Sequence, residues 1–220
     1  MVDMFLVATY AIGLPLLGTL AAGSAAALSW KSATEGMDAA ARRPLRGRLL
    51  VFLELPATVV LFGAVLTFLI ASRSDDVPAA QLEWAALTMG VPGMLTGVAY
   101  AIIYHRGIAH SIRVPTAFGR VLLLATTTQT AALFGFAMGF LILGQASDPA
   151  SVAAAVEASR VAALYLIAGS FVVPFEAYAM VAYWRFESQK RWIRTLVVGS
   201  GIEVILLVAF ALAFLSLRTA

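Results

Sequence analysis

The chain has 220 residues, of which 61% are apolar and only 12% are charged, with no cysteine and a net charge of +3. Soluble domains carry roughly 25% charged residues, so this composition excludes an ordinary soluble enzyme and indicates a membrane protein. The lack of cysteine also excludes disulfides and thiolate metal sites.

Six apolar runs are long enough to cross a bilayer as helices, which takes roughly 20 mostly apolar residues each. They cover about residues 4–29, 49–72, 82–104, 118–144, 159–184 and 193–217. We therefore expect an all-α membrane protein with no room for a soluble catalytic domain. The first run is expected to be a retained helix, because its early charge is Asp3 whereas a signal peptide begins with positive charge.

The basic residues are distributed unevenly between the two sides of these spans. Twelve of the fifteen lie in three connections: Lys31, Arg42, Arg43, Arg46 and Arg48; Arg106, Arg113 and Arg120; and Arg185, Lys190, Arg191 and Arg194. The opposite side has Arg73, Arg160 and Arg218 beside Asp75, Asp76, Glu83, Asp148 and Glu157. Since basic connections face the cytoplasm, both termini are expected outside, with the protein in the plasma (inner) membrane.

One ten-residue stretch of the sequence recurs in similar form. LFGAVLTFLI, from Leu61, matches LFGFAMGFLI, from Leu133, at six of ten positions and an offset of 72. A weaker copy, LVAFALAFLS, begins at Leu207. Such a period indicates internal repeats, and predicts three tandem helical hairpins over residues 1–74, 75–148 and 149–220.

The odd and even helices of these hairpins differ in side-chain size. Small residues recur every fourth position in the first and third helices, at Gly18, Ala22 and Ala26 and at Gly93, Gly97 and Ala101. This spacing lets helix backbones approach closely. The even helices carry most of the phenylalanines, so we expect an inner ring of slim helices and an outer ring of bulky ones.

Three carboxylates fall within the predicted spans: Glu54, Glu176 and Glu203. An ionisable group in a span is expensive and is a functional candidate. Glu203 and Glu176 both lie roughly 13 Å from the basic end of their helices, at ~1.5 Å per residue. They occupy the two arms of one hairpin, so they are predicted to face each other and share one proton. The competing interpretation is that one or both are protonated, hydrogen-bonded structural groups.

The repeat assigns counterparts to Glu203 in the other two hairpins. These are Gln129, within the polar stretch TTTQT, and Ala57. Gln129 is predicted to be a hydrogen-bonding spacer, and Glu54 either a displaced ion site or a neutral group near a helix end. Thr58 and Thr130 are further candidate polar positions beside these residues.

Three stretches together resemble the proteolipid, or c, subunit of V/A-type rotary ATPases in a triplicated-hairpin form. They are EGMDAAARRP in the first connection, LELPATVVLFGAVLTFLI in the second helix and GIEVILL in the sixth. Members of that family often have Leu-Pro-Glu-Thr where this chain has Ala57 between Pro56 and Thr58. Glu203 restores the acid at that depth in the third hairpin.

The resemblance implies a subunit that is not catalytic alone but moves ions within a proton-transporting two-sector ATPase. Its expected partners are further copies of itself in a ring, a stator subunit with a membrane arginine, central-stalk subunits at the basic connections, and lipid, without nucleic acid. Proton-binding roles fall to Glu203 and Glu176, with no cofactor or metal. Sodium would need several oxygen ligands, and Val204 beside Glu203 has none, so protons are favoured.

Two other functions are compatible with the sequence. One is a six-helix carrier or channel with the glutamate pair as its midplane site, since transporters also use internal repeats. The other is a structural ring subunit that has lost ion sites, as Ala57 and Gln129 suggest. If the chain does form a rotor ring, one acid pair per six helices means few protons per ATP, which favours a pump over a synthase. His105 and His110 are expected to be solvated loop histidines.

Overall fold

The computed structural model describes residues 3–145, 151–184 and 189–218, and every regular element within these ranges is helical. Six helices are long and apolar enough to cross a membrane: α1 (Met4–Thr34), α2 (Ala39–Ala71), α3 (Ala79–Arg113), α4 (Pro115–Leu143), α5 (Val152–Tyr183) and α6 (Arg191–Arg218). The predicted all-α, six-span membrane fold is confirmed. Asp148, Arg185 and the proposed hairpin boundary at residues 148 and 149 lie outside the described residues.

Several of these helices contain a local interruption. The first comprises Met4–Ala8, a π-helical stretch Thr9–Gly13 and Leu14–Thr34. The second is preceded by a short turn, Ala39–Arg42 with Arg43–Leu45, and continues as Arg46–Ala71. The fourth consists of Phe118–Thr127 and Thr130–Leu143, and the fifth of Val152–Ser170 and Val172–Trp184. The last regular helix spans Gln189–Arg218.

The helices extend further than the apolar runs, and one predicted connection is therefore mostly helical. Helix α3 continues to Arg113, and the chain becomes extended at Val114, immediately before Pro115. The residue before a proline is driven out of the helical region by a clash with the ring, which explains this end point. The prediction that His105 and His110 lie in a loop was wrong, because both are on α3.

The six helices form two rows. The odd helices pack directly side by side, with α3 between α1 and α5, while each even helix rests mainly against odd helices. The close approach in the odd row depends on Gly18 and Gly97, because a side chain on either would collide with the backbone of the other helix. Small residues at four-residue spacing thus allow the close approach of α1 and α3 that the sequence predicts.

A proline in α1 and a glycine in α2 allow these two helices to pack closely. Pro15 has no N–H, so the carbonyl of Ala11, four residues earlier, loses its helical partner. That carbonyl lies against Gly63 of α2, where an added side chain would overlap it. The proline exposes a backbone acceptor and the glycine allows α2 to approach it, a geometry suited to a weak Cα–H···O contact.

The same contact recurs in the second hairpin. Pro92 frees the carbonyl of Thr88 in the same way, and that carbonyl lies against Gly135 of α4. In the third hairpin the small residues exchange helices, since Gly169 of α5 faces the side chain of Ala209 on α6. Gly63, Gly135 and Ala209 are thus small residues of the even helices that lie against the preceding odd helix.

Candidate functional site

Glu203 lies near the middle of α6 and is partly buried against α4. The hydroxyl oxygen of Thr130 is 2.7 Å from its Oε1, a hydrogen-bonding distance. The same Thr130 oxygen is 2.8 Å from the backbone carbonyl of Thr127, one turn earlier on α4. A carboxyl group near the middle of a helix long enough to span a membrane is thus held where α6 meets α4.

The polar stretch TTTQT positions Thr130 by interrupting α4. The hydroxyls of Thr126, Thr127 and Thr128 each donate to the carbonyl three residues earlier, at 2.8–2.9 Å. Such back-bonding competes with the helical ladder and bends helices. The N–H of Gln129 accordingly turns to the carbonyl of Thr126, at 3.1 Å, and regular helix resumes at Thr130.

The hydrogens at this site can be counted. A threonine hydroxyl has one hydrogen and two lone pairs, yet the oxygen of Thr130 has two oxygen neighbours within bonding distance. When Glu203 is a neutral acid, its O–H donates to Thr130, and Thr130 donates to the Thr127 carbonyl. When Glu203 is ionised, Thr130 has only one hydrogen for two acceptors. Both contacts are satisfied together only in the protonated form.

Glu176 is on α5 and packs against the part of α6 just before Glu203, but its environment differs from that of Glu203. Its side chain is 1% exposed, and neither carboxylate oxygen has a hydrogen-bond partner. It packs at Gly199, one helical turn before Glu203, where its Oε1 would be 3.3 Å from an added Cβ. It is close enough to Glu203 for the two carboxyls to interact electrostatically. An ionised group without partners is costly in such a place, which favours the neutral acid.

Gln129 and Thr58 meet at the interface between the first and second hairpins. The Nε2 of Gln129 donates to the Thr58 hydroxyl at 2.9 Å, and Thr58 in turn donates to the carbonyl of Leu55 at 2.6 Å. The arrangement is the one seen at Thr130 and Glu203, with an amide in place of the acid. An amide donates a hydrogen bond but neither gains nor loses a net proton near neutral pH, so this second site is polar without being ionisable.

Pro56 fixes the segment that carries Thr58. The carbonyl of Phe52, left without a helical donor by Pro56, accepts a hydrogen bond from the Tyr104 hydroxyl at 2.6 Å. The carbonyl of Pro56 itself accepts from the Thr19 hydroxyl at 3.0 Å. Sequence reasoning missed Tyr104 and Thr19. The sequence does show that Pro56 leaves the Phe52 carbonyl without its helical N–H donor. It does not show which side chain supplies the replacement donor.

Glu54 is not part of either arrangement. It is exposed on α2, on the same face as Ala57, and α2 packs mainly against α1 and α3. The structure therefore groups Glu203 with Thr130, places Glu176 one turn away, and pairs Gln129 with Thr58. It leaves Glu54 on the outer surface of the first hairpin.

No cluster of metal-ligating side chains accompanies these groups in the described ranges. Among residues 3–145, 151–184 and 189–218, no three His, Cys, Asp or Glu side chains are grouped to hold a metal ion. An open cavity of about 540 Å³ lies on the odd row, between α1, α3 and α5, and includes His105, Arg106 and Tyr178. Neither Glu176 nor Glu203 lines this cavity, so it does not connect with the carboxyls.

Comparison with known proteins gives one family match. Residues 84–142 match the family model for the C subunit of ATP synthase. This range contains most of α3 and nearly all of α4, including Gln129 and Thr130, but neither Glu176 nor Glu203. The match supports the resemblance to the proteolipid family over the second hairpin. No match to the chain was found among curated proteins or among solved structures.

Proposed function

We propose that this chain is a rotor-ring subunit of a V/A-type rotary ATPase, built from three tandem two-helix hairpins. It carries protons on Glu203, with Glu176 as the second acid of the site. The protein is not catalytic alone and moves ions within a proton-transporting two-sector complex. This proposal extends the family match, which covers the second hairpin, to the whole chain through the repeated contacts of the three hairpins.

The observation that carries the proposal is the hydrogen bond between Thr130 and Glu203. It supports a carboxyl that is held neutral at mid-membrane depth while keeping a partner at its surface. An ionised glutamate facing hydrocarbon is expensive, whereas a protonated one costs far less. A ring bearing Glu203 would therefore turn through lipid with the acid protonated, and exchange its proton where a stator arginine and water stabilise the charge.

Protons are the proposed cargo rather than sodium. A sodium ion is a hard cation that takes several oxygen ligands. The side-chain oxygen bonded to Glu203 within the described part of the chain is that of Thr130, and the neighbouring Val204 and Gly201 offer none. A single hydroxyl suits a proton on the carboxyl, which needs one acceptor, better than it suits a metal ion.

The same proposal assigns the remaining partners and the membrane. The three basic connections would face the cytoplasm and contact central-stalk subunits, with both termini outside the plasma (inner) membrane. With one acid pair in six helices, each ATP would move few protons, which suits pumping against a steep gradient. Lipid would cover the surfaces of the ring that other subunits leave free.

Replacing Glu203 tests the proposal directly. In vesicles containing the complete ATPase, Glu203→Gln should abolish ATP-driven proton uptake while the ring still assembles, because the amide preserves shape but cannot exchange a proton. Glu54→Gln is the matched control: it removes an exposed carboxyl from another even helix, α2, and should leave uptake near the unsubstituted level. Full uptake with Glu203→Gln would remove Glu203 from the mechanism.

The mass of the detergent-extracted particle tests the architecture separately. A rotor protein should be recovered as a ring many times the 23.2 kDa mass of the chain. A monomer or dimer would instead favour a six-helix carrier. Normal ring mass with normal proton uptake after Glu203→Gln would favour a structural ring subunit without an ion site.

A further inference from the structure

The two interfaces between hairpins use corresponding sequence positions. Thr58 of α2 meets Gln129 of α4, and Thr130 of α4 meets Glu203 of α6. The threonines are separated by 72 residues and their partners by 74. In each case a threonine of one hairpin bonds to a polar side chain of the following hairpin. That side chain lies one residue before the position that corresponds to the threonine.

A pair of aromatic contacts follows the same register. Phe62 and Phe136 have ring centroids 5.5 Å apart at the first interface, and Phe134 and Phe210 are 4.4 Å apart at the second. Phe62 and Phe134 are again 72 residues apart, and Phe136 and Phe210 again 74. Two independent contacts thus show that the second interface repeats the first.

This register identifies the residues left without a counterpart at the two ends of the chain. On the third hairpin, the positions corresponding to the threonines and the first phenylalanines are Val204 and Val208, both 53% exposed. On the first hairpin, the positions corresponding to the polar partners and the second phenylalanines are Ala57, which is exposed, and Ala64, which is partly exposed. These four positions are apolar where the internal interfaces are polar or aromatic, and the nearest exposed charge on the α2 face is Glu54, one turn before Ala57.

The substitutions at the two ends complement each other. A hydroxyl at 204 would need a polar partner, and a carboxyl or amide at 57 would need a hydroxyl, since unpaired polar groups are costly in the membrane. The chain has neither member of that pair. The absence of both a hydroxyl at 204 and a polar group at 57 is explained if Val204 of one copy faces Ala57 of another. In the same contact, Val208 and Ala64 would occupy the positions that the two phenylalanines have at the internal interfaces.

We infer that the end faces of α6 and α2 are the contact between copies of this chain, joined head to tail with Val204 of one copy against Ala57 of the next and Val208 against Ala64. A contact between two different faces generates a ring when its rotation closes. The inference rests on the proposed rotor function and deepens it. Neither residue pair of the seam is ionisable, although the Glu54 carboxyl lies one turn from Ala57 on the same face of α2. Each Glu203 finds its threonine within its own chain.

Cysteine crosslinking tests this seam without background, because the chain has no cysteine of its own. Ala57→Cys with Val204→Cys, and separately Ala64→Cys with Val208→Cys, should give a ladder of multimers with a short bis-methanethiosulfonate reagent in membranes. We expect at least tenfold more crosslinked product than from any of the four single variants. Thr58→Cys with Gln129→Cys calibrates the reagent, since it should crosslink within one chain and lose its reactivity to maleimide.

Each other outcome would overturn the seam. Equal product from Ala57→Cys or Val204→Cys alone would mean a two-fold contact between like faces. Product from Val204→Cys with Phe68→Cys, about 16 Å further along the same exposed face of α2 at ~1.5 Å per residue, would mean a different register. No product between chains, while Thr58→Cys with Gln129→Cys reacts, would mean that lipid covers both faces. Crosslinking requires no proton movement, so its failure is distinguishable from failure of the transport test.

Discussion

The two interfaces between hairpins share one geometry and differ in one functional group. At the first, the amide of Gln129 donates to the Thr58 hydroxyl at 2.9 Å. At the second, the carboxyl of Glu203 lies 2.7 Å from the Thr130 hydroxyl. The threonine, the register and the neighbouring aromatic pair are the same, so the interface itself does not distinguish a polar contact from a proton site. The difference is whether the side chain that meets the threonine can give up its proton.

Chemical labelling should separate the two interfaces most sharply. A hydrophobic carbodiimide adds to a protonated carboxyl and, after rearrangement, leaves an N-acylurea that increases the mass by one reagent molecule. Peptides of α6 should carry the label at Glu203. The substitution Glu203→Gln gives the second interface an amide like that of the first, and it should reduce the labelling of α6 more than tenfold. Mass spectrometry of the extracted protein measures this.

Glu176 serves as the internal reference for that measurement. It is 1% exposed and should react more slowly than Glu203, which is partly exposed. Equal labelling at the two positions, or labelling that persists in α6 after Glu203→Gln, would show that the hydrogen bond to Thr130 does not mark the reactive acid.

The reverse substitution should create a second proton site. Gln129→Glu places an acid against Thr58, which already donates onward to the Leu55 carbonyl as Thr130 does to that of Thr127. We expect a second labelled position on α4, and up to twice as many protons moved per ATP in vesicles containing the complex. Gln145→Glu, beyond the end of α4, is a control that adds the same charge away from the interface. An unchanged proton count together with labelling at 129 would mean that the site loads but does not take part in transport.

The amino-acid sequence predicts the six spans, the close packing of the slim helices and the position of Glu203 near the middle of its span, because these depend on hydropathy and residue size along one helix. It predicts the pairing of side chains less well. Thr130 and Thr58 were candidates by position alone, since their contacts depend on the break in α4 and on Pro56 within α2, which hydropathy does not register. Glu176 was expected to share a proton directly with Glu203, and its placement beside Gly199 is a property of how α5 packs on α6.

The two threonines should differ in their effect on labelling. Thr130→Val removes the acceptor for the Glu203 acid proton, and a hydrogen bond worth roughly 1.4 kcal/mol corresponds to about tenfold in occupancy. We therefore expect up to about tenfold less carbodiimide product at Glu203. Thr58→Val is the matched control at the first interface and should change that product by less than twofold. Similar losses from both variants would indicate a general packing defect rather than a role for the Thr130 hydroxyl.

The smallest expected effect is on stability at the first interface. Thr58→Val leaves the Nε2 of Gln129 without its partner in a partly buried position, which should cost about 1 kcal/mol in the free energy of unfolding. Thr67→Val on the same helix removes only a local back-bond to the Gly63 carbonyl and should cost less. Thermal unfolding of the detergent-extracted protein compares the two. If Thr67→Val is as destabilising as Thr58→Val, the hydrogen bond between hairpins contributes no more than a local one. The first interface would then be held by its aromatic and backbone contacts rather than by the polar pair.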